Sequence, residues 1–226
     1  MSISLLLLIL AMIFAFYAQY MVSSTFSKYS RTGNVRGLTG ADVARRLLDA
    51  EGMNDVRVEY IQGKLTDHYD PRDHTVRLSD SVYSSTSVAA LGIAAHEAGH
   101  AMQHDTGYAA LTVRNSFLPV AGLGSKLSMP LIVIGFLFAS AGGIMLVYAG
   151  IILFAAAVAF QIITLPVEFD ASNRALVMLE QRGFLNSDEI IPARQVLSAA
   201  ALTYVAAVAV SLAHLLRLVM AVSNRR

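Results

Sequence analysis

A chain of 226 residues that is 55% hydrophobic and only 15% charged is not composed like a soluble globular domain, which keeps roughly 25% of its residues charged. Its formal net charge of +1, with no basic stripe interleaved with aromatics, leaves no footprint for nucleic acid. The lack of cysteine excludes disulfide staples and thiolate metal sites, so any metal must be held by nitrogen and oxygen.

Residues 3–22 (ISLLLLILAMIFAFYAQYMV) run twenty residues without a charge, enough for about 30 Å of hydrocarbon at 1.5 Å per residue. No Lys or Arg precedes the run and no small-x-small cleavage site follows, so residues 1–23 read as a retained transmembrane anchor rather than a signal peptide. Residues 24–116 change composition and carry ten of the seventeen Lys and Arg. Thr39 can cap a helix through ADVARRLLDAEG, with Gly52 ending it. VRVEYI alternates like a strand, and KLTDHYDPRDHTVRLS reads as two short strands around a DPRD turn. SSTS then supplies caps for an alanine-rich helix, VAALGIAAHEAGHAMQHD, ending near Gly107.

Residues 117–165 hold a single charge, Lys126. That length suits two spans, with ASAGG (139–143) as the turn. Lys126 either snorkels to an interface or faces the protein interior. Residues 166–194 form a polar connector that looks helical to Gly183. Residues 195–226 give a fourth span, to about Leu216, and a tail. His214 reads as a polar residue of that span. The expected fold is therefore a mostly α membrane protein with about four transmembrane helices and a small α+β unit in 24–116. With four spans the two polar segments share one side of the bilayer. Lys28, Arg31, Arg36, Arg114, Arg174, Arg182 and Arg194 lie near span ends on that side, against Arg225, Arg226 and Arg217 opposite, which places it in the cytoplasm.

Within AAHEAGHAMQH (94–104), HEAGH fits H-E-x-x-H. Residues four apart on a helix face the same way, so His96 and His100 can reach one ion. Two imidazoles suit zinc, and Glu97 can act as general base toward water on that ion. A catalytic zinc needs a third protein ligand. His104 is rejected, because on a continuing helix it lies about 12 Å along the axis from His96. Glu168, just past Pro166 in LPVEFDASNRAL, is preferred. Asp170 is the runner-up and Asp105 the third choice. The small residues Ala94, Ala95, Ala98 and Gly99 suit close helix packing, which would bring the Glu168 helix against the HEAGH helix.

On HEAGHAMQH, PVEFDASNRAL, VRLSDSVYSSTSVAALGIAAHEAGHAMQH, the apolar hairpin and ALTYVAAVAVSLAHLLRL, the sequence resembles the YugP-type neutral zinc metallopeptidases, small bacterial membrane proteins, over nearly its whole length. More distantly it resembles the HtpX and CAAX-prenyl-protease group, which pairs H-E-x-x-H with a later E-x-x-x-D. The resemblance implies a zincin-like, gluzincin-like unit with His96, His100 and Glu168 as zinc ligands and Glu97 as base. Ser172 stands where that pattern has its aspartate, so the support of a ligand histidine falls to Asn173 or another carboxylate, or the histidine is held differently. The resemblance also implies an extended peptide pairing with an edge strand above the active-site helix. Thr75, Val76, Arg77, Leu78 and Ser79, the strand nearest that helix in sequence, are the candidates. Tyr83, His74, Tyr204 and Arg174 remain open as oxyanion donors. The expected function is a zinc endopeptidase of the cell membrane, acting on protein or peptide substrates in membrane-protein quality control. A regulatory membrane partner or a homo-oligomer is left open. The competing reading is a non-catalytic scaffold or assembly protein with structural zinc, which would have no use for Glu97. A metal transporter is disfavoured, because no apolar run carries a polar lining.

Overall fold

The computed structural model describes residues 2–138 and 141–223. Among the described residues, six helices and three strands follow in chain order: α1 (Ile3–Tyr29), α2 (Gly40–Ala50), β1 (Arg57–Ile61), β2 (His68–Asp70), β3 (Thr75–Ser79), α3 (Val88–Asp105), α4 (Ala109–Leu137), α5 (Ala141–Gln181) and α6 (Ser187–Ser223). The chain is a mostly helical membrane protein with a small α+β portion. It divides into two compact units. One comprises Met1–Ala18, Thr112–Pro166 and Thr203–Arg226, the other Gln19–Leu111 and Val167–Leu202.

The first unit is built from apolar helix. Among the described residues, four helices, namely α1, α4, α5 and α6, are long and apolar enough to cross a membrane. Large side chains such as Phe16, Leu118, Val133 and Ile152 point outward, as a surface against hydrocarbon requires. Close approach of α4 and α5 depends on glycine: a Cβ on Gly124 would collide with the Leu153 carbonyl oxygen, and one on Gly150 would meet the Ser128 oxygen at 2.7 Å. Small residues replace the hydrophobic driving force that lipid cannot supply. Lys126 is exposed, so the interior placement does not hold. His214 packs edge-on against Phe154, with ring centroids 5.4 Å apart. The expected turn at 139–143 lies partly outside the described residues, as do Arg225 and Arg226.

The second unit holds a conventional core. Thr39 and Asp42 close a reciprocal capping box at the start of α2, and Val43, Ala44, Leu47 and Leu48 bury one helix face. Gly52 ends that segment with φ +79°, a conformation in which glycine has no Cβ penalty. The three strands form one sheet in the order β1-β3-β2. β1 pairs with β3 in parallel, and β2 pairs with β3 antiparallel through Tyr69 opposite Val76.

That order corrects one expectation. Thr75, Val76, Arg77, Leu78 and Ser79 form the central strand, paired with β1 along all five residues and with β2 over the first three, while the Ser79 N–H donates to Asp67; every position but Arg77 is buried. No edge remains there for a peptide. The edges belong to β1 and β2.

Ser87 caps α3 by accepting from the Ala90 backbone N–H at 3.1 Å, and the helix stops before Gly107, whose φ is +61°. Residues 166–194 differ from the expected separate connector. α5 continues from the apolar run through Pro166 to Gln181, turns at Gly183 with φ +65°, and gives way to α6 after only residues 182–186. Proline fixes φ near the helical value and removes one N–H, which a long helix can absorb. Val43, Leu47, Val76, Leu78, Leu91, Leu179 and Leu197 join α2, the sheet, α3, α5 and α6 in one cluster.

Candidate metal centre

The second unit brings α3 against the polar end of α5 at a glycine. A Cβ on Gly99 would sit 2.8 Å from the Ala171 carbonyl oxygen, so no larger residue fits without moving a backbone. The contact lies one residue before His100 on α3 and one residue before Ser172 on α5. Both histidines and Glu168 lie within a turn of this close approach.

The ligand atoms of His96, His100 and Glu168 all lie within 4.8 Å of one another. Glu168 Oε2 is 3.4 Å from His96 Nε2 and 3.7 Å from His100 Nε2. These separations exceed the 2.7–2.9 Å of a charge-assisted hydrogen bond. Oε2 is buried without a hydrogen-bond partner, although burial of a carboxylate oxygen costs heavily unless something compensates it. The two separations from Glu168 fit a metal instead. Two atoms each about 2.0–2.1 Å from a tetrahedral zinc stand about 3.3 Å apart. Two imidazole nitrogens and one carboxylate oxygen form a donor set that zinc accepts, with a fourth position left over.

The back of each ring is also held. His96 Nδ1 meets Ser172 Oγ at 3.1 Å, and His100 Nδ1 meets Gln103 Oε1 at 2.9 Å. Both contacts leave Nε2 facing Glu168, which is the orientation a metal ligand needs. Burial pulls the His100 pKa down. The Glu168 carboxylate, the Glu97 charge and the Gln103 contact together outweigh it, so His100 lies above the usual imidazole range. Glu97, next to His96, is itself buried.

The other candidates lie elsewhere. Asp170 turns away from the ligand cluster, accepting from Arg174 Nε at 2.6 Å and from Gln103 Nε2 at 2.8 Å. Asp105 is exposed. His104 Nδ1 meets the Tyr69 hydroxyl at 2.9 Å, which ties the C-terminal end of α3 to β2. Burial first, then nearby carboxylates, push the Tyr69 pKa up to about 12, so the phenol keeps its proton. Asn173 is exposed, and Ser172 itself takes the place of the expected aspartate. Of the oxyanion candidates, Arg174 is engaged by Asp170, His74 by Asp55, and Tyr83 packs edge-on against Tyr60.

Gln103 escaped the sequence reading. It is fully buried and stands three residues after His100, hence on the same helix face. A buried glutamine at that spacing, among Ala98, Gly99, Ala101 and Met102, is the signal that was present.

An H-E-x-x-H helix joined by a carboxylate from a second helix, in a chain with four helices apolar enough to cross a bilayer, defines the class: a membrane protein with a zinc-type centre. The chain belongs to the family described as "Putative neutral zinc metallopeptidase", which matches residues 4–223. It is 49% identical over 220 residues to "Putative membrane protease YugP" of Bacillus subtilis (strain 168), covering 97% of this chain and 96% of that protein. No solved structure matches the chain.

Proposed function

We propose that the protein is a multi-pass zinc endopeptidase of the cell membrane, with its catalytic unit on the cytoplasmic side. The observation that supports this best is the convergence of two imidazole Nε2 atoms on a buried, partnerless carboxylate oxygen, with a glutamate adjoining the first histidine. His96, His100 and Glu168 hold the ion. When bound, zinc polarises a peptide carbonyl and makes water acidic enough to deprotonate near neutral pH. Glu97 takes the proton of the attacking water and returns it to the leaving amine, serving as base and then as acid. Ser172 and Gln103 keep the rings from rotating.

Substrate binding follows from the sheet. β2 is an edge strand, and Tyr69 joins it to α3 through His104. An extended segment that pairs with β2 is held by backbone hydrogen bonds, with little regard for side chains. Unfolded or membrane-protruding segments are the substrates that suit such pairing, and membrane-protein quality control is the work that suits such substrates. The sidedness rests on the basic residues flanking the apolar runs.

The test is Glu97→Gln in the purified protein. Zinc content should stay at the wild-type level while casein cleavage is lost. A Glu97→Gln protein that cleaves at the wild-type rate rules out the assigned base, and a wild type that binds zinc yet cleaves nothing supports a structural site instead.

A further inference from the structure

The two ligand histidines are held by partners of different kinds, and the difference has a chemical consequence. The Ser172 hydroxyl can donate or accept, so its contact with His96 Nδ1 leaves that ring free to take either tautomer. Gln103 has no such freedom. Its Nε2 donates at 2.8 Å to the Val167 carbonyl oxygen and at 2.8 Å to Asp170 Oδ2, both of which only accept. Exchanging the amide nitrogen and oxygen would set two acceptor pairs face to face inside a buried site, where each unsatisfied group costs about 1–3 kcal/mol. The oxygen must therefore face His100. A carbonyl oxygen 2.9 Å from Nδ1 requires that Nδ1 carry the hydrogen.

We propose that Gln103 is a positioning residue that locks His100 in the Nδ1–H tautomer, and that Val167 and Asp170 in turn fix the amide of Gln103. Nε2, with its lone pair, is then the only ring nitrogen offered to a metal. Arg174 completes the chain by donating to the same Asp170 oxygen at 2.6 Å. The two acceptors bracket Glu168 in sequence, so a single amide ties the His100 turn of α3 to the Glu168 turn of α5. Gln103 does for His100 what a carboxylate does in many metal sites: it sets the tautomer and the orientation of the ring. Unlike a carboxylate, it adds no charge to a site that already holds Glu97 and Glu168. This rests on the zinc reading, but the lock is a property of the metal-free chain.

The experiment reads the tautomer directly. Metal-free wild type labelled with 15N-histidine is examined in detergent micelles by long-range 1H–15N correlation, with the pH raised until the 15N shifts report singly protonated rings. His100 should show Nδ1–H. In Gln103→Leu, which keeps the volume and removes the acceptor, His100 should acquire the Nε2–H form, and zinc affinity from chelator competition should fall about 10–100-fold. A wild-type spectrum with His100 protonated on Nε2 overturns the proposal, even if the leucine variant does not fold. So does a folded Gln103→Leu protein that keeps Nδ1–H and binds zinc within about threefold of wild type. Failure of the wild type to bind zinc at all would refute the peptidase reading, and the tautomer measurement would still decide the lock.

Discussion

Two glycines on α3 should respond to alanine in opposite directions. Both gain helix propensity, worth about 1 kcal/mol in a helix interior. At Gly92 the new methyl would find its nearest neighbour, the Ala193 Cβ, at 3.6 Å, an ordinary contact. Gly92→Ala should therefore stabilise the protein by up to about 1 kcal/mol. At Gly99 the methyl would lie 2.8 Å from the Ala171 carbonyl oxygen, whereas carbon and oxygen approach comfortably at about 3.3 Å. The helices must separate by about 0.5 Å, and overpacking of this kind costs about 1–3 kcal/mol. The steric cost offsets or exceeds the propensity gain, so Gly99→Ala should lose up to about 2 kcal/mol net. The separation falls on the turn of α5 that carries Glu168 and Ser172, and metal sites tolerate displacements of only a few tenths of an ångström. Zinc affinity should drop about 10–100-fold. Thermal unfolding in detergent and chelator-competed zinc binding measure both effects. A Gly99→Ala protein that melts above wild type and binds zinc equally well would refute the close-approach reasoning.

Glu168→Ala removes one of three ligands and should lose most bound zinc together with casein cleavage, as metal analysis would show. Saturating zinc should raise the melting temperature, since about one hundred times the dissociation constant of free ligand adds about 2.7 kcal/mol to the folded state; a chelator should reverse the shift. pH acts through His100, whose pKa is raised above its ordinary 6.5. For the metal-free protein, this group's stabilisation is full below the unfolded value and is lost as pH rises through the folded one. Zinc must displace that proton, so zinc affinity should begin to weaken above pH 6.5 as the pH is lowered. Zinc competition assays at several pH values would detect the onset.

Much of this was legible in the sequence because the signals are local. Thr39, Gly52, Ser87 and Gly107 start and stop helices through their own backbones and nearest neighbours. The i,i+4 spacing of His96 and His100 fixes their common face whatever surrounds the helix. Glu168 stood out as the first carboxylate after a long apolar run. What escaped depends on contacts across the chain. Strand order placed β3 between β1 and β2, and only non-local pairing decides which strand is an edge. Gln103 reaches across 64 residues to Val167, and Ser172 across 76 to His96; neither partner is marked by sequence spacing. The continuity of α5 through Pro166 was hidden by two boundary signals, a proline and the onset of charge, which the long helix overrides.

The central claim is that α3 and α5 together hold a hydrolytic zinc. Zinc K-edge absorption spectroscopy on the purified wild-type protein tests it directly. The expected first shell is two imidazole nitrogens and carboxylate or water oxygens at about 2.0–2.1 Å, four atoms in all. A six-oxygen shell, or a spectrum unchanged in Glu168→Ala, would contradict it.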